Sequence, residues 1–465
     1  MRKQILAVLL VLAMLVAVLA GCSGNASSSS ETGSESSSSA VESSDASEPE
    51  SAESVGAGEG PTVTIWECQW GNESYEQVLQ KLAEQATEAN IDGRGIKVEV
   101  SMVSWDNYYD TFLTAVTSGT APDIACEAST GPIMYADMGE SLDLMPIYDA
   151  WVAEESTMLD EIPQEAFDYF TYEGELTGMP FAIDSTAMIY NKALFEEAGI
   201  KEIPTTWDEL YDVCKTLKEV FPDKIPIAFS AATPANVTSL LDWVLHSNGS
   251  SILTEDFKPN LQSDNSIHVL EIFKKFYDEG LFGAGASSYT TSDLQRLYMA
   301  EEAVMVRSQA PTYLADTDLH DKTGIIVPVA GPDVEAGKAT ASYQAFHAFK
   351  QTEDAEATLG TLKWWIENNL ISWTEGGNMT IPVRSTYREE ACGADALVQE
   401  YLDVNVGQSE PYIYPQTGLY PFHTVLDSEA TAAVCLQEIL TGTDVQTAAQ
   451  KCNDAIADVM ADAGY

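Results

Sequence analysis

Strand patterns and helix patterns alternate along the folded body, and this alternation limits the possible folds more than any other feature. Thr62–Trp66 is rich in β-branched residues, as in a buried strand, and apolar residues then recur at helical spacing over Tyr75–Ala86. Ile96–Met102 alternates as a second strand, and a helix pattern over Tyr109–Val116 precedes a short third strand, Asp123–Cys126. Strands that alternate with helices predict a parallel sheet covered by helices, which is an α/β fold.

The same alternation continues in the second half of the chain, where helix start and stop signals are clear. Thr206 and Glu209 have the spacing of a capping box, in which each side chain bonds the backbone of the other residue. Glycine often ends a helix, because it adopts the left-handed conformation at little cost. Four more elements are predicted: a helix over Asn191–Ala198 stopped by Gly199, a helix over Ile267–Phe276 ended by Gly280, and strands over Ala303–Val306 and Gly324–Val327.

The first residues have the layout of an export signal. Arg2 and Lys3 precede an apolar run, Ile5–Ala20, that is too short for a comfortable membrane span. The run closes on Leu19-Ala20-Gly21-Cys22, which resembles the lipobox of bacterial lipoproteins, where the cysteine is acylated and becomes the mature N-terminus. We expect residues 1–21 to be a lipoprotein signal peptide and Cys22 to carry lipid on the extracytoplasmic face of the cell membrane. The alternative is an ordinary signal peptide with a chance cysteine.

Residues 22–60 are predicted to be a disordered tether. The segment consists largely of Ser, Glu, Gly and Ala, so it cannot bury enough apolar surface to offset its conformational entropy. A flexible coil of this length spans roughly 30 to 40 Å, which holds a folded body near a membrane surface but clear of it. The remaining residues, 61–465, are long enough for two domains and contain no second apolar stretch of transmembrane length.

The balance of charge excludes one class of partner. The chain has 73 acidic and 22 basic residues, a formal net charge of −51, and such a surface repels nucleic acid and anionic lipid. We therefore expect no nucleic-acid binding, and contact with the membrane through the lipid anchor alone. The charge does not indicate a cationic ligand, because a solvated acidic surface also suits a secreted protein.

Cysteine usage does not indicate a disulfide scaffold. Apart from Cys22 the chain has six cysteines, which is sparse for a body of this length and leaves open many pairings that the sequence does not distinguish. Cys68 and Cys126 each follow a predicted strand, so we expect these two residues to be neighbours.

The sequence contains no motif for catalysis or metal binding. The five histidines are scattered, with no His-x-x-x-His or Cys-x-x-Cys spacing, so we predict no metal site and no cofactor. Gly331–Lys338 superficially resembles a phosphate-binding loop, but its glycines have the wrong spacing and no helix pattern follows. The Gly-x-Ser-x-Gly elbow of serine hydrolases is absent as well, so the chain is not predicted to be an enzyme.

A family resemblance is concentrated in the middle of the chain. Three segments resemble the signature of the maltose-binding-type extracellular solute-binding proteins, namely Gly174–Ala182, Met188–Gly199 and Pro204–Leu210. Weaker similarities extend over nearly the whole body, at Trp105–Asp123, Trp243–Gly249, Glu302–Met305 and Pro382–Arg384. The sequence departs from the family pattern at Arg307–Pro311, where members often have Gly and then Trp, and Tyr313 is a candidate for that aromatic role.

The resemblance implies a periplasmic-binding-protein-like fold of two discontinuous α/β lobes, with a hinge and an interlobe cleft that holds the ligand. Such proteins deliver ligand to an ABC transporter permease, which is the partner expected for this chain, itself a monomer. By analogy the chain crosses between the lobes near Ala182–Ala187, Ala339–Gln344 and Asn378–Ile381. The predicted division is residues 61–182 plus 341–380 for lobe 1 and residues 183–340 plus 381–465 for lobe 2.

Residues that follow the strands are candidates for ligand contact, because open α/β sheets bind ligands beyond the carboxyl ends of their strands. A sugar presents an apolar face of C–H groups and a rim of hydroxyls, so its site needs aromatic rings together with carboxylates, amides or arginine. The predicted substrate-binding residues are Trp66, Glu67, Trp70, Glu127, Asp184, Trp243, Arg307 and Tyr343.

Several of these candidates have a plainer alternative role. Trp66 and Trp243 also suit a hydrophobic core. Asp184 also suits a solvated hinge carboxylate, and Arg307 a surface ion pair of little energetic value.

We expect the chain to capture a sugar or oligosaccharide by closing the cleft around it, a movement that requires no covalent chemistry. Two alternatives stay open. The same fold binds a polyamine or another small solute if aromatic residues box ammonium groups. The chain is instead a secreted glycoside hydrolase if two of the carboxyl groups of Glu67, Glu127 and Asp184 flank a glycosidic bond.

Overall fold

The computed structural model describes residues 55–105, 107–315, 317–416, 418–428 and 431–465. The predicted signal peptide, Cys22 and residues 23–54 of the predicted tether lie outside the described residues. The end of the predicted tether runs beside the folded body, where Val55 N donates to Gly93 O at 3.1 Å and Gly60 N donates to Gly95 O at 2.7 Å. In the described part of the chain, none of the helices is both long and apolar enough to cross a membrane.

Strands are distributed along the whole of the described chain. In chain order they are β1 (Thr62–Cys68), β2 (Lys97–Val103), β3 (Ile124–Cys126), β4 (Thr171–Tyr172), β5 (Glu175–Leu176), β6 (Met179–Ser185), β7 (Ala187–Asn191), β8 (Ile225–Ala228), β9 (Ala303–Ser308), β10 (Thr323–Ile326), β11 (Ala339–Ala348), β12 (Ile381–Pro382) and β13 (Ser409–Pro411).

The helices alternate with these strands and dominate the C-terminal part. In chain order they are α1 (Tyr75–Glu88), α2 (Tyr108–Ser118), α3 (Gly131–Asp137), α4 (Met145–Ala153), α5 (Met158–Glu161), α6 (Gln164–Tyr169), α7 (Lys192–Glu197), α8 (Trp207–Val220), α9 (Pro234–His246), α10 (Asp264–Asp278), α11 (Thr291–Met299), α12 (Ala355–Asn368), α13 (Ile371–Thr374), α14 (Ser385–Cys392), α15 (Ala396–Val404), α16 (Pro421–Ser428), α17 (Val434–Leu440) and α18 (Val445–Asp462).

The first sheet is built mainly from the N-terminal strands. Its order is β12-β6-β11-β3-β1-β2, and β13 pairs with the part of β11 that β3 leaves free. β1 is parallel to both β2 and β3, as predicted, because a helix returns the chain after each of the first two strands. β11 is antiparallel to β3 and β6. The register sets Glu67 of β1 opposite Cys126 of β3, so both residues lie at the same edge of the sheet.

The second sheet has the order β10-β7-β9-β8. β8 is parallel to β9, whereas β7 is antiparallel to both β9 and β10. Thr186 is the one residue between β6 in the first sheet and β7 in the second. The chain therefore passes between the sheets within the predicted range, Ala182–Ala187.

The predicted helix signals are confirmed. The side chain of Asn191 accepts hydrogen bonds from Ala193 N and Leu194 N and so caps α7. Thr206 Oγ1 accepts from Glu209 N at 3.2 Å, and Glu209 Oε2 accepts from Thr206 N at 3.2 Å, which completes the capping box that opens α8.

Each sheet is covered on both faces. In the first sheet Ile65 and Val100 pack toward α1, while Ala125 and Val103 pack toward α2 on the other face. In the second sheet, likewise, successive residues of β7 belong to different hydrophobic clusters. The predicted lobe boundaries stay a prediction. Val383, Ile413 and Leu419, which we assigned to lobe 2, pack in the hydrophobic cluster of the first sheet.

The six cysteines of the described residues are free and buried. Cys126 belongs to the cluster on the α1 face of the first sheet, whereas Cys68 belongs to the cluster on the α2 face. These two residues are close in the strand register, but the sheet lies between their side chains.

Candidate functional site

Glu67 places a carboxyl group in an apolar environment near the carboxyl end of β1. Its side chain is 1% exposed, and Glu67 Oε1 accepts a hydrogen bond from the hydroxyl of Tyr75 at 2.5 Å. The other oxygen, Oε2, has no hydrogen-bond partner among the described residues. Burial raises the pKa of Glu67 to about 8, although the hydrogen bond from Tyr75 opposes the rise. At neutral pH the side chain is therefore mostly a protonated acid.

Glu127 occupies the equivalent place beyond β3. It is also buried, and its Oε1 lies 3.4 Å from Nε2 of His347 on β11. The ring of His347 stacks on Tyr135, with centroids 5.5 Å apart. Burial raises the pKa of Glu127, and the nearby imidazole of His347 limits that rise. Gly131 allows this approach, because a Cβ there would lie 2.8 Å from Glu127 Oε1.

Arg307 is the buried cation of the second sheet. It is the penultimate residue of β9, is 6% exposed, and its Nη2 donates to both the carbonyl and the hydroxyl oxygen of Ser239 at 3.1 Å. Burial lowers the pKa of Arg307 to about 10, while the charges of Asp242 and Asp184 limit the fall. Its guanidinium carbon lies 5.7 Å from the ring centroid of Trp243, so the cation also contacts an aromatic face. The predicted surface ion pair is therefore not its environment.

Asp184 lies on β6, close to this cation. We call β6 and β11 the hinge strands, because the predicted crossings Ala182–Ala187 and Ala339–Gln344 begin within them. Its Oδ1 accepts a hydrogen bond from Gln309 Nε2 at 2.7 Å. Burial raises the pKa of Asp184, and the bond from Gln309 and the charge of Arg307 oppose the rise. The structure therefore brings Asp184 and Arg307, two residues that the sequence predicted separately, into one cluster.

Most of the predicted aromatic residues pack within the protein. Trp66 lies against Phe112 with centroids 5.8 Å apart, and Trp70 is 5% exposed. Trp243 is 4% exposed and belongs to the main core of the second sheet. Tyr343, on β11, is partly buried and meets Tyr169 edge-on at 5.6 Å. As ligand contacts these four residues stay predictions.

Two pockets adjoin these groups. The first contains about 330 Å³ of empty space, part of it open to solvent, and is lined by Asp242, Ile252, Leu253, Tyr412, Ile413, Tyr414, Gln416, His423, Leu426 and Asp427. The second contains about 260 Å³ of empty space, also partly open to solvent, and is lined by Asp184, Ser185, Thr186, Ser239, Thr340, Ala341, Ser342 and Tyr412. The second pocket thus lies between the hinge strands and α9. Of the eight predicted residues, Asp184 alone lines either of them.

Three residues that line the first pocket were not among the predicted site residues, namely Asp242, Tyr412 and Asp427. Asp242 lies one position before Trp243 on α9, and its Oδ2 is 3.2 Å from Nδ1 of His246, one helical turn away. Tyr412 donates its hydroxyl hydrogen to the carboxyl group of Asp427 on α16. Burial raises the pKa of Asp427 to about 7, and the nearby charge of Asp242 adds to the rise. Asp242 and His246 are four residues apart in the sequence, a spacing that places both side chains on one face of a helix. Nothing in the sequence indicated Tyr412.

The walls of this region are joined by direct contacts. Thr424 Oγ1 on α16 donates to Thr130 O, at the start of α3, at 2.9 Å. At the hinge, Ser185 O accepts from the hydroxyl of Tyr401 at 2.6 Å, and Ser185 Oγ donates to Thr340 O at 2.8 Å. The arrangement offers carboxyl oxygens, a guanidinium group and aromatic rings in a region shielded from water. Within the described residues, no group of three or more His, Cys, Asp or Glu side chains is arranged to hold a metal ion.

Two α/β lobes joined by short hinge strands, with buried polar groups between them, define the class of two-lobed ligand-binding proteins. The family model of bacterial extracellular solute-binding proteins matches residues 81–399, and the chain belongs to that family. The family comprises extracytoplasmic binding proteins, in agreement with the predicted side of the membrane.

Individual relatives agree with this assignment. A binding protein of Brucella abortus (strain 2308) is 25% identical over 329 residues, which cover 67% of this chain and 73% of the relative. The structure of a sugar transporter from Arthrobacter chlorophenolicus A6 with bound laminaribiose has a TM-score of 0.78 at 20% identity and covers 86% of this chain and 99% of that one. Maltose-bound MalE3 of T. maritima has a TM-score of 0.73 at 20% identity and covers 86% and 100%. These likenesses confirm the predicted fold.

Proposed function

We propose that this chain binds a sugar or an oligosaccharide in the cleft between its lobes and delivers it to the permease of an ABC importer. One observation carries the proposal: a buried guanidinium group, that of Arg307, lies among carboxyl groups and aromatic rings beside the hinge. Glu67 Oε2, Asp242 Oδ2 and Arg307 Nε are buried without a hydrogen bond in the described structure. Sugar hydroxyls both donate and accept, so one ligand is able to satisfy acids and a cation together.

The fold supports this choice of ligand class. Structural relatives of this chain hold laminaribiose and maltose. A ligand that contacts both lobes favours the closed arrangement, in which α16 contacts α3. In the open arrangement the ligand cannot contact both lobes at once. In the proposed site Asp184, Arg307 and Tyr343 contact the ligand directly, and Glu67 and Glu127 line the strand ends. Trp66, Trp70 and Trp243 support these groups from the cores.

A thermal-shift screen of the purified chain against monosaccharides, oligosaccharides, polyamines and amino acids tests the proposal. We expect one sugar series to raise the melting temperature, because a ligand at a hundredfold excess over its Kd stabilises the folded state by about 2.7 kcal/mol. Isothermal titration calorimetry on the same samples gives the stoichiometry. A shift with spermidine but no sugar would keep the fold and overturn the ligand class. Hydrolysis of a chromogenic glycoside by the same preparation would favour the glycosidase alternative.

We also propose that the chain is held at the membrane by lipid on Cys22. In support, the residues before Cys22 have the pattern of a lipoprotein signal, and the family acts outside the cytoplasm. We expect the wild-type chain expressed in a bacterial host to sediment with membranes and to incorporate labelled palmitate. The Cys22→Ala variant should appear in the soluble fraction without label, and Cys68→Ala is the matched control. A Cys22→Ala chain that still incorporates the label contradicts the anchor.

A further inference from the structure

Tyr412 stands between the two pockets of the cleft. It lines the pocket of about 330 Å³ that contains Asp427 and also the pocket of about 260 Å³ that contains Asp184. Among the lining residues of the two pockets, Tyr412 is the one they share. Tyr412 is therefore the residue at which two compartments of the cleft meet.

The backbone and the ring of Tyr412 are held in different ways. Tyr412 N donates to Ala341 O of the hinge strand β11 at 2.9 Å, next to the pairing of β11 with β13. The ring is partly buried and rests against the cluster of the first sheet. Its hydroxyl group has one hydrogen-bond partner in the described structure, the carboxyl group of Asp427. The backbone is thus fixed to the hinge, whereas the hydroxyl end of the ring is held by that single hydrogen bond.

We infer that Tyr412 determines the chain length of the sugar that the cleft accepts. With its hydroxyl on Asp427, Tyr412 keeps the two compartments apart, so the cleft accepts only a short ligand. When the ring turns about its side-chain bonds, the compartments join into one trough that runs from Asp427 to Asp184 and suits a longer oligosaccharide. This inference rests on the proposed function, because it concerns the ligand of the same cleft.

Calorimetric titration with glucose and with the maltose-to-maltotetraose and laminaribiose-to-laminaritetraose series tests this role. The full chain is compared with Tyr412→Ala, which removes the ring, and Tyr412→Phe, which removes only the bond to Asp427. We expect the affinity for the tetrasaccharide, relative to the shortest sugar bound, to rise at least tenfold in Tyr412→Ala and about threefold in Tyr412→Phe.

Tyr414→Ala is the matched control. Tyr414 lines the first pocket alone, so its removal enlarges one compartment without joining the two, and the ratio of affinities should stay within twofold of the wild type. Circular dichroism and thermal melting establish whether each variant is folded. If Tyr412→Ala does not fold, Tyr412→Phe alone is compared with the wild type.

The possible outcomes distinguish a failure of the role of Tyr412 from a failure of the proposed function. An unchanged affinity ratio in both Tyr412 variants, or an equal loss of affinity for all chain lengths, overturns the role of Tyr412 and leaves the proposed function standing. The second result would mean that the ring is a stacking platform for the sugar. A wild-type chain that binds none of these sugars or any other in the screen overturns the proposed function, and the inference with it.

Discussion

Replacing Glu67 with glutamine is expected to stabilise the ligand-free protein by about 3 to 5 kcal/mol at about pH 9. Burial raises the pKa of Glu67 from its ordinary value of 4.5 to about 8. Between these values the folded protein retains a proton that the unfolded chain has released. The free energy of unfolding therefore falls as pH rises through this window, and the loss is complete above the folded-state pKa. Glutamine mimics the protonated acid, so the variant avoids the loss.

Urea denaturation of the wild type and of Glu67→Gln at several pH values measures this effect. The two free energies should converge near the ordinary pKa of 4.5 and diverge up to about pH 9. The hydroxyl of Tyr75 is still able to donate to the glutamine carbonyl, so the hydrogen bond to Tyr75 is preserved. Glu84→Gln, an identical chemical change at an exposed position of α1, is the control and should leave the pH dependence unchanged. A Glu67→Gln variant that is less stable than the wild type at high pH contradicts the prediction.

Replacing Arg307 with methionine is expected to destabilise the protein by about 3 to 5 kcal/mol at about pH 8 and to abolish sugar binding. The guanidinium group is buried beside Asp184 and Asp242, and its removal takes a compensating positive charge away from both carboxyl groups, of which only Asp242 keeps a second basic neighbour among the described residues, His246. It also leaves the carbonyl and hydroxyl oxygens of Ser239 without their donor. Methionine fills a similar volume, so the loss reports charge and hydrogen bonding more than packing.

The pH dependence identifies the origin of this loss. Without Arg307 the pKa values of Asp184 and Asp242 rise further, so both groups are neutral at low pH and the destabilisation should be smaller near pH 5 than near pH 8. Denaturant melts at the two pH values measure it. Arg296→Met on α11 removes an exposed arginine and should cost less than about 1 kcal/mol. A loss for Arg307→Met that is equal at both pH values would indicate a packing defect instead.

Helices, strands and helix caps could be predicted because the interactions that form them join residues only a few positions apart. The capping box of Thr206 and Glu209 depends on two side chains three positions apart, and the structure confirms it. The strands β1 to β3 followed from alternation and β-branched residues, and their parallel pairing followed from the helices between them. Glu67, Glu127, Asp184 and Arg307 were identified as candidates for the same reason, since each lies at or near the end of a strand whose position the sequence defines.

The orientation of the tryptophans was not predictable in this way. Trp66, Trp70 and Trp243 were chosen because sugars need aromatic surfaces, but the structure packs each of them against other aromatic rings. Whether a large apolar side chain faces a cleft or a core depends on which elements cover that face, and those elements come from distant parts of the chain. Trp70, for example, meets Trp105 from the loop after β2, with centroids 4.7 Å apart.

By itself the sequence determined the α/β class, the family, the strand ends that carry buried carboxyl groups and the place where the chain passes between the two sheets. The tertiary structure alone decided how these parts meet. Tyr412 reaches the hinge through a backbone bond to Ala341, and Asp427 reaches Tyr412 because α16 packs across the cleft against α3. These contacts join segments far apart in the chain, and their free energy comes from burial and long-range hydrogen bonds that no local pattern encodes.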